Sequence, residues 1–337
     1  NAGLLSLYSR QGDVDTAAGI VEFLRSTLLV EGGFGSAQDS ESIIEGQSSE
    51  GGYYALDARA RSRLTPPAVD DKVITGWNGM ALSALAHAHL AGVPGDPGAV
   101  GSSVATMLIE NHVREDGTLV RLSKAGVLSS APATLEDYGG LGLGLLELGM
   151  ALGDARFVEV AFRLLDSLSG REHSLGVDDV MRDNGLSVRP DIQEGASPSG
   201  ISMTAQALLL AATLRGTQTY EERARALIAP HVSQSMLTPL GAGGVLQVLS
   251  SLARNQREVI VIADGPTEMT DVARRHRAPG TLVLCLTPEQ ARRFLEVGVD
   301  LLEGRTEAAS PIAYVCHRGA CLLPATTREA LEAQLQQ

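Results

Sequence analysis

No apolar run in this chain approaches the length of a membrane span, because Asp, Glu, Arg or Gly interrupts each one. A membrane partner is therefore not expected. Nor is there a cluster of Lys and Arg. With 40 acidic against 27 basic residues the net charge is −13, which argues against a nucleic-acid surface. Cysteine is scarce: Cys285, Cys316 and Cys321, all towards the C-terminus. An odd count without framework spacing speaks against a secreted disulfide scaffold and for a reducing, cytoplasmic compartment. The start carries no basic-then-apolar signal segment. Nucleophile elbow, P-loop and Gly-rich dinucleotide fingerprint are all missing, and no cofactor is expected.

The histidines do not assemble a metal site either. His87 and His89 are two apart on a predicted helix and so point to different faces, while His112, His173, His231 and His276 are scattered. The stretch Cys316-His317-Arg318-Gly319-Ala320-Cys321 offers one half-site where structural zinc needs four ligands, so no metal is assigned. Cys316 and Cys321 are kept as a candidate thiol pair.

What is present is periodicity. The 337 residues, 44% of them hydrophobic, can build a large core, and their length favours two domains. Helical patterns recur in pairs: Asn78 to Leu90 with Val100 to Val113, Leu135 to Leu152 with Asp154 to Leu168, and Ser199 to Leu214 with Tyr220 to Val232. Asp15 to Leu29 precedes them and Ala242 to Leu252 follows. Asn1 is not Met, and the segment after it already reads as helix. The expectation is a downstream part of something longer, with an incomplete helical array that exposes apolar edges and is either poorly stable or associates. Long connections such as Glu31 to Gly35, Glu115 to Leu119 and Asp183 to Leu186 set Gly beside acidic or amide residues, which is turn chemistry for small β-excursions.

Three motifs sit at matched places in this array. They are Asp70-Asp71-Lys72 running into Gly76-Trp77-Asn78-Gly79, then Leu135-Glu136-Asp137-Tyr138, then Ala196-Ser197-Pro198-Ser199-Gly200. Sixty residues separate Trp77 from Asp137, and sixty separate Asp137 from Ser197. Solenoid repeats run shorter, roughly 34 to 47 residues. A sixty-residue period fits an α/α toroid of helical hairpins over residues 1–255, with its inner helices rich in Gly and Ala so that they crowd at a centre. From 256 to 337 apolar strands (Glu258 to Ala263, Thr281 to Leu286, Ile312 to Cys316) alternate with helices, which predicts a small parallel α/β unit.

In a toroid the three motifs stand at helix N-termini around one mouth, where N–H groups and the positive dipole end are exposed. Capping and function both want Asp, Ser and Asn there. Thr134 with Asp137 fits a capping box in its acidic form. Asp70 and Asp71 lie too early to cap. Paired carboxylates carry glycosidic-bond chemistry, one as acid and one as base or nucleophile. The catalytic candidates are Asp71, Glu136 and Asp137. The ligand-binding candidates are Asp39, Asp70, Lys72, Tyr53, Trp77, Asn78, Tyr138 and Ser199. Five of the twelve aromatics (Phe34, Tyr53, Tyr54, Trp77 and Tyr138) fall on this face, where ring planes suit a sugar.

The ordered set resembles the spermatogenesis-associated protein 20-like family of thioredoxin-domain-containing proteins. Its residues are Gly32-Gly33-Phe34 with Ser36 to Ser42, Glu50-Gly51-Gly52-Tyr53-Tyr54, Asp70 to Gly79, Leu135 to Tyr138, Ser197 to Gly200 and the Cys316/Cys321 pair. The resemblance implies a six-hairpin, glycosidase-like toroid similar to that of N-acylglucosamine 2-epimerases. It also implies a thioredoxin-like domain ahead of the toroid in the full-length protein. Ile201 stands where the resemblance leads one to expect Asn. Two functions are expected from these observations. One is a carbohydrate-binding or carbohydrate-active toroid, working by hydrolysis or epimerisation through general acid–base chemistry. The other is a non-catalytic scaffold associated with a thiol-redox partner domain.

Overall fold

A computed structural model describes residues 1–172, 175, 185, 192–254, 256–276, 278, 280–306 and 311–336. It is 56% helical with only small sheets, a mainly α fold. Helices of eight or more residues are numbered here in chain order. In the array they are α1 (Ala2–Gln11), α2 (Val14–Phe23), α3 (Thr75–Leu90), α4 (Pro97–His112), α5 (Leu135–Leu152), α6 (Ala155–Ser167), α7 (Gly200–Arg215), α8 (Gln218–Ile228) and α9 (Gly243–Ala253). Beyond Ala253 follow α10 (Glu268–Arg275), α11 (Pro288–Glu296) and α12 (Arg328–Leu335).

The odd-numbered array helices form an inner row. Each packs on the next, α1 on α3, α3 on α5, α5 on α7 and α7 on α9, while α2, α4, α6 and α8 each back the inner helix before them. Local sequence sets the ends. Asp154 caps α6, accepting from the Arg156 N–H at 3.1 Å, and Gly153 ends α5 in the left-handed conformation at φ 68°. Outer helix α6 buries Phe157, Val158, Phe162 and Leu165. At about 25 cal/mol per Å² this apolar face holds it on the inner row.

The inner helices approach so closely because glycine lies at their crossings. A Cβ on Gly140 of α5 would stand 2.6 Å from the Gly76 carbonyl oxygen of α3, and one on Gly200 of α7 would stand 2.6 Å from the Glu136 nitrogen. The row also bends, since Ser6 of its first helix and Gln247 of its last line one cavity. Among the described residues the arc has five inner and four outer helices. Apolar side chains are exposed at both its ends, Leu4 and Leu7 on α1 and Met236, Leu237 and Leu240 just before α9. No helix among the described residues is long and apolar enough to cross a membrane.

The long connections carry the expected β-excursions. Leu29–Val30 pairs with Gly33–Phe34 across a turn in which Gly32 has φ 91°. Lys72–Ile74 pairs with Leu122–Lys124. The turn expected at Asp183 to Leu186 lies outside the described residues except for Gly185, as does His173.

The C-terminal region holds one sheet, numbered β1 (Arg257–Ile262), β2 (Thr281–Leu286), β3 (Ile312–His317) and β4 (Ala320–Cys321), in the order β2-β1-β3-β4. β1 and β2 are parallel with α10 between them, but β3 runs antiparallel to β1. The sheet is thus mixed and not parallel as expected. A parallel addition needs a crossover ending where β1 begins. After α11 the chain instead makes a further turn at Asp300–Leu302 and enters from the opposite end. Ile260, Ile262, Leu284 and Leu286 join the main core of the helical array, while Val259, Val261 and Val315 pack under α10 and α12 in a second cluster. The expected boundary residue, Asn255, lies outside the described residues.

Candidate functional site

The N-terminal ends of the inner helices are tied together by side chains. Asp137, 2% exposed, accepts at Oδ2 from the Thr134 N–H (2.8 Å) and hydroxyl (2.9 Å), and at Oδ1 from the Gly76 N–H of α3 (3.1 Å). It therefore satisfies orphan donors on two neighbouring helices at once. Burial raises its carboxyl above the usual value against the pull of those donors. Glu194 does the same for the next pair. Its Oε1 accepts from the Ser199 N–H (3.1 Å) and the Ser202 hydroxyl (2.5 Å), and its Oε2 from the Gly244 N–H of α9 (2.5 Å). Ser199 caps α7, accepting from the Ser202 N–H at 3.1 Å.

Asn78, 2% exposed, clamps the first hairpin. Oδ1 accepts from the Phe34 N–H at 2.8 Å, and Nδ2 donates to the carbonyls of Phe34 and Ile74, both at 3.0 Å. Tyr138 is 1% exposed, and its hydroxyl accepts from the Leu119 N–H at 3.2 Å. Trp77 is different: the residue is 44% exposed, and Nε1–H donates to Glu136 Oε1 at 3.2 Å. Burial, then the charge of Asp137, raises the Glu136 carboxyl.

The remaining candidates stand on the outer loops. Asp70 pairs with Lys72 at 2.9 Å, and hydrogen bonding from that ammonium is the main pull holding its carboxyl below the usual range. Asp71 lies 3.5 Å from Lys124. Asp39 is exposed and accepts from the Glu41 N–H at 3.2 Å. Tyr53 packs edge-on against Tyr54, with Arg61 5.9 Å from its ring centre.

A cavity of about 610 Å³ occupies the hollow of the arc. Of the candidates, Trp77 and Asn78 line it, together with Ser197 and Pro198 of the third motif. Its depth holds residues that sequence reasoning missed. His87 of α3 meets the Ser6 hydroxyl through Nδ1 (3.1 Å) and Arg10 of α1 through Nε2 (3.1 Å), and Glu147 Oε1 of α5 lies 3.6 Å from that same Nε2. Glu147 Oε2 is buried without a hydrogen-bond partner among the described residues. Burial pushes the Glu147 carboxyl up, but His87, Ser83 and Arg10 outweigh it, and the net direction is down, to a carboxylate. The signal for Glu147 was available: it is the single charged side chain between Tyr138 and Leu152.

Two further groups lie elsewhere. His112 is fully buried between the Thr75 hydroxyl (2.7 Å) and the Ser123 hydroxyl (2.8 Å), and burial lowers its pKa to about 4. Cys316 and Cys321 are joined as a disulfide, and Cys285 is a free thiol raised by burial to about 11. No group of His, Cys, Asp or Glu among the described residues is arranged to hold a metal ion.

No protein-family profile matches the chain. Among curated proteins it is similar to spermatogenesis-associated protein 20 of Homo sapiens, 26% identical over 296 residues, covering 80% of this chain and 36% of that protein. The Rattus norvegicus protein of the same name is 26% identical over 228 residues, 61% of this chain and 28% of that protein. The chain thus spans about a third of the length of these curated relatives, and the kinship is distant.

Proposed function

We propose that the chain, a distant relative of spermatogenesis-associated protein 20, binds a small polyhydroxylated ligand, a sugar or polyol, in the hollow of the arc. We further propose that, where that ligand is a sugar with a carbonyl, it acts on it by proton transfer through His87 and Glu147. One observation carries the reading: a buried carboxylate oxygen without a partner, beside His87 and Arg10, in the depth of a cavity whose wall includes an exposed indole. The volume of about 610 Å³ suits a small molecule, since ligand pockets run roughly 300–1,000 Å³. Trp77 offers a sugar ring an apolar face, and Glu136 fixes the indole. The bent row of hairpins supports an α/α toroid as the parent architecture.

The carboxylates of the cavity favour epimerisation over hydrolysis. Glycosidic cleavage uses two available carboxyl groups. Glu147 and Glu194 line the cavity, but both oxygens of Glu194 already accept hydrogen bonds. One carboxylate beside an imidazole suffices to move a proton at a carbon next to a carbonyl. In this reading Asp137, Asn78 and Ser199 hold the mouth in shape. Asp39, Tyr53, Asp70, Asp71 and Lys72 belong to its outer loops, and Tyr138 packs beneath.

Calorimetric titration with aldoses, ketoses and N-acylated amino sugars is expected to find a binder, with Glu147→Gln and Trp77→Ala each weakening it about tenfold or more. In heavy water the bound ligand is expected to take up deuterium next to its carbonyl, and Glu147→Gln to stop the exchange. A panel without a binder at millimolar concentration, or full affinity in both variants, refutes the reading.

A further inference from the structure

Away from the central cavity, a second cavity of about 750 Å³ lies between α8, the Asp300–Leu302 turn and the β3–β4 hairpin. Three features meet beside it. The first is the Cys316–Cys321 disulfide that closes the hairpin, asymmetric in exposure: Cys316 is fully buried and Cys321 is exposed. The second is Arg305, which lines the cavity and donates from Nη2 to Cys321 Sγ at 2.9 Å, lying 3.9 Å from Cys316 Sγ. The third is Glu258, 2% exposed, which also lines the cavity. Its Oε2 is buried without a hydrogen-bond partner among the described residues.

Glu258 and Cys316 are register partners across β1 and β3. Directly opposed residues project from the same face, with Cβ atoms about 4.5–5.5 Å apart. The Glu258 and Cys316 side chains thus share one face of the sheet as direct neighbours, while a guanidinium touches the outer sulfur. The Glu258 carboxyl also draws hydrogen bonding from the Gly319 and Arg318 backbone at the hairpin turn, whereas Ile260 and Ile262 on the same face join the apolar core. Burial raises the Glu258 carboxyl, so that it holds a proton more readily than an exposed one.

We propose that Cys316–Cys321 is a dithiol–disulfide exchange site, with Cys321 as the sulfur attacked, Arg305 as the stabiliser of its thiolate and Glu258 as the proton donor to Cys316. The co-substrate is a dithiol reductant entering as its monoanion. Its thiolate attacks Cys321 Sγ, an S–S bond to Cys321 forms, and the Cys316–Cys321 bond breaks. Cys316 leaves with the electron pair and takes the proton of Glu258. The reductant's second thiol passes its proton to the Glu258 carboxylate and attacks its own partner sulfur in the mixed disulfide. The reductant leaves as a disulfide, oxidised by two electrons. Cys316 remains as thiol, Cys321 as a thiolate held by Arg305, and Glu258 is protonated again. Exposure fixes the direction, because only the outer sulfur is open to an incoming thiolate.

The test uses the full chain with dithiothreitol as reductant and glutathione disulfide as trap. Cys316→Ser, which leaves Cys321 free, is expected to form the mixed disulfide with glutathione at least tenfold faster than Cys321→Ser. Equal or inverted rates overturn the assignment. Glu258→Gln, which keeps the side-chain shape, is expected to slow reduction by dithiothreitol about tenfold, and an unchanged rate overturns the proton role. Arg305→Gln is expected to shift the exchange equilibrium about tenfold toward the disulfide, about 30 mV for two electrons. An unmoved equilibrium refutes the thiolate contact. A disulfide that dithiothreitol reduces only after the chain unfolds overturns the whole proposal.

Discussion

The mouth of the arc and its depth use carboxylates in opposite ways. At the mouth, Asp137 and Glu194 spend both oxygens on N–H and hydroxyl donors of two adjacent helices. In the depth, Glu147 keeps one oxygen buried and unpartnered among the described residues, beside a histidine and an arginine. A carboxylate with both oxygens committed positions backbone. One with an oxygen left over is available to a ligand. The sixty-residue recurrence of Trp77, Asp137 and Ser197 therefore marks first the construction of helix ends, and only through Trp77 and Ser197 the cavity that those ends frame.

The largest expected effect tests the mouth. Asp137→Ala leaves the Thr134 and Gly76 N–H groups without their acceptor and removes the α5 capping box. Its cost is about 3 kcal/mol, a cap at about 1 and a buried unsatisfied donor at about 1–3. Urea denaturation reads this as a lower midpoint, and a loss below about 0.5 kcal/mol would dissolve the contrast. Next in size is Gly140→Ala, whose Cβ would lie 2.6 Å from the Gly76 carbonyl oxygen. The Gly76 atoms it meets are backbone of a packed helix, so overpacking of about 1–3 kcal/mol is expected in the same assay. At neutral pH Glu147→Gln should cost less stability than either and show itself chiefly in ligand affinity. A large stability loss there would move Glu147 into the class of Asp137.

Much of this fold was legible. The helix pairs, the β-excursions and the C-terminal strands follow from periodicity and turn residues, and the observed ends differ by a few positions. The Gly-rich inner helix could be read as a crowded one because glycine has no other use in mid-helix. The direction of β3 was not legible, since it depends on where Asp300–Leu302 returns the chain. Nor was the depth of the cavity. Arg10, His87 and Glu147 come from three helices and share no motif, so only packing brings them together. Conversely Asn78 and Tyr138, with the residue types of a binding site, turn inward because Phe34 and Leu119 have backbone groups to satisfy. The Cys316/Cys321 pair was visible as spacing, whereas its neighbours Arg305 and Glu258 were not, being 11 and 58 residues away from Cys316 in sequence.

The smallest expected effect separates mouth and depth by sign. Burial raises the folded pKa of Asp137 above 3.8, so between that value and the folded one the folded chain binds more protons than the unfolded. Its contribution is full below 3.8 and is lost as pH rises through the folded pKa. Glu147 has the reverse balance. Burial raises it, but His87, Ser83 and Arg10 carry it below 4.5, so its contribution is present above 4.5 and is lost as pH falls through the folded pKa. Removing each titration should then tilt the stability profile in opposite directions. Relative to the unsubstituted chain, Asp137→Asn gains stability as pH rises above 3.8, and Glu147→Gln gains it as pH falls below 4.5. Urea midpoints across the carboxylate range measure both slopes. Tilts of the same sign would mean that the two carboxylates share one environment, and the division between a framing mouth and a reactive depth would fall with it.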